Sequence, residues 1–79
     1  MIPRQIKYII HYYFRKEPKD FFEFVNCIEK IDNVAFSDRS KRKIANSLLI
    51  YAKHSLKPEE YEFVKKKLCK KYNIKPRLL

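Results

Sequence analysis

Glycine and tryptophan are absent from this 79-residue chain. Two-residue hairpins, phosphate-cradling loops and dinucleotide-binding turns mostly need glycine for a backbone with positive φ. Walker-type and dinucleotide-type nucleotide binding are therefore excluded. Helices joined by short, proline-marked links remain. Cysteine is scarce too, with only Cys27 and Cys69, and His11 and His54 are the only histidines. No C-x-x-C pair occurs, and a zinc site takes about four grouped ligands. No metal and no other cofactor is expected. Nothing in the cysteine usage suggests secretion, so the pair is expected to stay reduced.

Long apolar runs are missing. Arg4 and Lys7 interrupt the first apolar stretch. Nothing approaches the ~20 apolar residues of a membrane-spanning helix. The expectation is a cytoplasmic protein with no membrane partner. Acids are few as well: 9 Asp and Glu face 19 Lys and Arg, for a net charge of +10. That excess speaks for a polyanionic partner and says nothing about fold.

What is present argues for a folded chain. Hydrophobic residues make up 46% and aromatics 15%, too much for a disordered tail. Four helical patterns appear, without a repeat. The first spans 3–16, where Pro3 suits a first helical position. Ile2, Ile6, Ile9, Ile10, Tyr13 and Phe14 form one stripe at helical spacing. The Ile and Tyr runs also suit a strand, but the helical spacing fits better. The second spans 18–31, opened by Pro18 and ended by Asp32–Asn33, with Asn33 a candidate for the left-handed conformation. Phe21, Phe24, Val25, Ile28 and Ile31 face its core.

The third spans 38–55 behind Ser37 as N-cap. Ile44, Leu48 and Tyr51 lie beside Ala45, Leu49 and Ala52, so its apolar face is the broadest and should be central. The fourth spans 58–73, with Tyr61, Val64, Leu68 and Tyr72 as its stripe. Pro76 should close the ordered chain, with Leu78–Leu79 docking or fraying beyond it. Val34 and Phe36, in the link after the second helix, should plug one end of the core. The expected fold is all-α: a small single-domain bundle of about four short helices, 1–79.

The charge is segregated. It is +4 over 1–16, −4 over 17–38, +6 over 39–57 and +4 over 58–79. Signs in a merely soluble protein are interspersed, so one basic face is expected, with the acidic second helix turned away from the partner. Three clusters could build that face. Arg4, Tyr8, His11 and Arg15 lie on one line of the first helix, with Tyr12 beside them, and exposed tyrosines among arginines suit base stacking with phosphate contact. Arg39, Lys41, Arg42 and Lys43 crowd the start of the third helix. Cations there oppose the helix dipole, which an anion held by free backbone N–H groups would relieve. Lys66, Lys67, Lys70 and Lys71, with Lys65, Lys75 and Arg77, sit where the dipole already favours cations. They are the weaker signal for function.

Other readings fare worse. A helix-turn-helix over the last two helices would present Glu59, Glu60 and Glu62 where a recognition helix meets DNA. No His, Cys or Ser set is grouped for catalysis, so no enzyme is expected. The remaining alternative is a protein-interaction module, docking on an acidic surface of a larger partner or pairing as a homodimer. Phe22, Phe63 and Tyr12 fall off the main stripes and would mark such an interface if exposed together.

The end of the chain, VKKKLCKKYNIKPRLL (64–79), resembles the basic Lys-Lys-Tyr to Pro-Arg stretch in the N-terminal, tRNA-binding region of the catalytic subunit of Elongator. The resemblance implies RNA over DNA, and no residue role is carried over from it. The expected function is nucleic-acid binding, of RNA or DNA, through phosphates and without catalysis, as a regulator or accessory factor.

Overall fold

The computed structural model describes residues 2–74. Four α-helices compose it: α1 (Arg4–Phe14), α2 (Phe21–Val34), α3 (Asp38–Ser55) and α4 (Pro58–Tyr72). No strand occurs among the described residues. The small all-helical bundle read from the 3.6-residue spacing is the observed architecture. Pro76 and Leu78–Leu79, read as the end of the ordered chain, lie outside the described residues, as do Lys75 and Arg77.

Helix ends depart from the sequence reading in instructive places. α1 stops before Arg15, which turns left-handed at φ 63°. Its N–H donates to the His11 carbonyl at 2.9 Å. α2 starts three residues after Pro18, which is buried in the link. Asp20 is its N-cap: Oδ1 accepts from the Glu23 N–H at 2.8 Å. Glu23 Oε1 in turn accepts from the Lys19 N–H at 2.7 Å. This Asp-x-x-Glu arrangement satisfies two backbone donors at once, so it outcompetes proline as the start. At its far end α2 runs through Asn33 to Val34, and Ala35 is extended. The asparagine that does turn left-handed is Asn73, at φ 52°, closing α4. Among the described residues of a chain without glycine, Arg15 and Asn73 thus take the two positive-φ positions.

α3 is the centre. Ile44, Ala45, Leu48, Leu49, Tyr51 and Ala52 are all buried on it. Ile10 of α1, Phe24, Cys27, Ile28 and Ile31 of α2, and Val64 and Leu68 of α4 complete one core cluster. Each fully buried Leu or Ile contributes about 1.5–3 kcal/mol by leaving water. α3 touches all three other helices, whereas α1 and α4 do not touch each other. They therefore flank α3 on different sides and leave a groove along each.

α2 and α3 run antiparallel. Phe24 near the start of α2 packs on Tyr51 near the end of α3, with ring centroids 5.7 Å apart. Asp32 near the end of α2 meets Lys41 near the start of α3, with Oδ1 and Nζ 3.5 Å apart.

One expected core residue is on the surface. Phe36 is 99% exposed, and the buried residue of the α2–α3 link is Ala35. An apolar residue just before an N-cap usually packs on the residue four positions into the helix. Here that partner is Lys41, so Phe36 has nothing to cover it.

Candidate nucleic-acid interface

The start of α3 is capped from within. Ser37 Oγ accepts from the Ser40 N–H at 3.1 Å and donates to Ser40 Oγ at 3.0 Å. The Lys41 N–H bonds to the Ser37 carbonyl at 3.0 Å. One of the backbone donors expected to receive an anion, the Ser40 N–H, is therefore already used. The four cations of this segment also do not converge. Lys41 and Arg42 turn to one groove, Lys43 turns to the other, and Arg39 enters neither.

Lys43 turns toward α1, where Arg4, Gln5, Tyr8 and Ile9 line a cleft with it. Arg4 and Lys43 belong to separate clusters in the sequence, and the fold joins them. A second cleft continues at the other end of α1. It is lined by Tyr12, Tyr13 and Arg15 from α1 and its exit, by Val34, Ala35 and Phe36 from the link, and by Ser37 and Ser40. Tyr8 and Tyr12 bridge the two clefts, with ring centroids 6.5 Å apart and planes 25° from parallel. Tyr12 also meets Tyr13 edge-on at 4.9 Å. Neither cleft has an acidic residue in its lining.

Arg42 and Lys41 face the other way. They line a cleft with Asp38, Lys71, Tyr72 and Asn73. Here two of the three cations are answered by an acid. Asp32 takes Lys71 Nζ at 3.3 Å on one oxygen. Its other oxygen takes Lys41 Nζ at 3.5 Å and accepts from the Tyr72 hydroxyl at 3.1 Å. The hydrogen bond from Lys71 holds the Asp32 carboxyl below the usual carboxylate range, and Tyr72 adds to it. Burial works against the charged form of Lys71, but its bonds to Asp32 and Tyr72 outweigh this and raise its pKa. Burial also pushes the Tyr72 hydroxyl up. The acidic second helix is thus not turned wholly away: its last acid, Asp32, pairs with Lys41 and Lys71 on the α3–α4 side.

The other residues singled out from the sequence scatter. His11 Nε2 stands 3.6 Å from Glu17 Oε1, so an acid accompanies it. Arg39 is exposed and lies in neither groove. Lys66 and Lys70 are exposed on α4. Lys67 lies over the Phe63 ring, 5.8 Å from its centroid. Among the described residues of the lysine-rich run, only Lys71 lines a cleft with the cationic residues of α3. Phe36, Ser37 and Ser40 are among the residues of the α1–α3 groove that the sequence pattern does not mark as interface. The signal for Phe36 was a lysine where its packing partner should be.

Phe22, Phe63 and Tyr12 are all exposed, at 74%, 50% and 64%. They do not form one patch. Phe63 packs edge-on against Phe21 of α2, with centroids 5.3 Å apart, whereas Tyr12 belongs to the α1 groove.

Cys27 is buried and Cys69 half-buried, and both are free thiols. Burial pushes the Cys27 thiol up. Among the described residues no three of His, Cys, Asp and Glu gather into a set that could hold a metal. No described helix is long and apolar enough to cross a membrane. Comparison of the chain with known protein families, curated proteins and solved structures finds no match.

Proposed function

We propose that this protein is a small nucleic-acid-binding protein. It grips phosphates without catalysis and acts in the cytoplasm as a regulator or accessory factor. The observation that carries this reading is the cleft where Arg4 and Tyr8 of α1 meet Lys43 of α3 with no acid in its lining. Cations with an exposed aromatic and no counter-charge are what a phosphodiester chain requires. The net charge of +10 adds a long-range attraction that speeds encounter.

The test is binding of labelled oligonucleotides across a salt series. Three phosphate contacts on a single strand give a log–log salt slope of about −2. Failure of both RNA and DNA to bind at low salt would refute the reading.

A second reading has one observation of its own. Phe22 and Phe63 are exposed on α2 and α4, away from the cationic groove. Each offers an exposed apolar contact to a protein partner. Such a complex would saturate and would tolerate salt better than a phosphate-held one.

A further inference from the structure

We infer that the α1–α3 groove takes single-stranded nucleic acid, with bases stacked on Tyr8, Tyr12 and Phe36 and phosphates held by Arg4, Arg15 and Lys43. The inference rests on the proposed function and names the form of nucleic acid that this site would select.

Three aromatic rings crowd one strip of surface at 70%, 64% and 99% exposure. Tyr8 and Tyr12 stand on successive turns of α1, so their rings follow one another along the helix. Phe36 extends the strip across the second cleft, beside Tyr12 and Arg15. Such rings offer nothing to a duplex, whose base faces are already stacked on each other. A single strand exposes its base faces, and each gains about 1–3 kcal/mol on an aromatic platform.

Cations frame the strip. Arg4 and Lys43 stand at the Tyr8 end, and Arg15 stands in the cleft with Tyr12 and Phe36. None of the three makes an ion pair among the described residues. The α3–α4 cleft differs on every count. It is the only one of the three clefts with an acid in its lining, two of its three cations, Lys41 and Lys71, are bound to Asp32, and it lacks a ring exposed like Tyr8 or Phe36. Charge and aromatic exposure therefore pick the same groove independently. From Arg4 to Tyr12 the helix rises about 12 Å, the length of three or four stacked nucleotides.

The test uses the full chain and fluorescence anisotropy at low salt. The probes are a uridine dodecamer, a thymidine dodecamer and a mixed-sequence DNA duplex of equal length. A dodecamer is expected to bind about tenfold more tightly than the duplex. Phe36→Ala, at a side chain that touches no core, should weaken single-strand binding about fivefold and leave duplex binding unchanged. Tyr8→Ala with Tyr12→Ala should weaken it about tenfold or more, with the melting curve checking that the Tyr13 contact was not structural. Equal affinity for strand and duplex would overturn the inference. So would binding that the aromatic variants leave intact while Arg4→Gln and Lys43→Gln abolish it, and that outcome would leave the proposed function standing. Absence of binding to every probe would remove both.

Discussion

Tyr8 of α1 and Lys43 of α3 line the same cleft. Nothing local in the sequence brings them together; the buried stripe of α3 does, by holding α1 against it. The relationship also explains the odd cations at the start of α3. Lys41 is bound to Asp32, Arg42 faces α4, and Lys43 faces α1. A helix start that looks like one anion site serves two different surfaces.

Charge removal should therefore act by location and not by number. Arg4→Gln with Lys43→Gln should flatten the salt slope for a single strand by about 1.4, about 0.7 for each phosphate left without its cation. Lys66→Gln with Lys70→Gln removes the same charge from α4 and should change the slope by less than about 1. Anisotropy across a salt series measures both.

Arg15 carries a strain that glycine would release. It is left-handed without the backbone freedom that conformation favours. Arg15→Gly should stabilise the fold by about 0.5–1 kcal/mol, the relief of that strain less the added freedom of the unfolded chain. It should also weaken oligonucleotide binding, because a groove cation is gone. Denaturant unfolding and anisotropy on the same sample separate the two effects. Loss of stability on this substitution would mean that the side chain, and not the groove, explains the residue.

Most of the helical architecture was legible in the sequence because burial follows the 3.6-residue period. Ile10, Phe24, Ile28, Leu48 and Leu68 are inside as their spacing demands. Pro18 does not open α2, because the Asp20-x-x-Glu23 cap satisfies two backbone donors further along the chain. The groove was only half legible. Periodicity places Arg4 and Tyr8 on one line of α1, but pairing that line with Lys43 depends on how two helices pack, which a single sequence does not encode locally. Phe36 is apolar yet exposed, because Lys41 stands where its packing partner would be. Lys41 and Lys71 were read as free charges because their partner, Asp32, comes from a different helix.

Asp32 should give the fold an acid-dependent component. Its folded pKa lies below the ordinary carboxylate value of about 3.9. The ionised form is therefore favoured by folding. That contribution is complete above the unfolded pKa and is lost as pH falls through the folded one. Melting temperatures measured from neutral pH downward should decline through that window. Asp32→Asn should start lower and show a flatter decline. An unchanged acid profile in the variant would show that other carboxylates carry the dependence.

Core and groove should respond oppositely to truncation. Leu48→Ala empties a fully buried site on α3 and should cost about 3 kcal/mol. Phe36→Ala removes a side chain that is 99% exposed and should change stability by less than about 0.5 kcal/mol. Denaturant midpoints of the two variants give the comparison.

The groove assignment is tested most directly by amide chemical shifts during titration with a uridine dodecamer. The account predicts that the shifts concentrate at Tyr8, Tyr12, Arg15, Phe36, Ser40 and Lys43, while Lys66 and Lys70 on α4 hardly move. Shifts centred on α4, or on the Asp32, Arg42 and Lys71 side, with the α1–α3 groove silent, would contradict it.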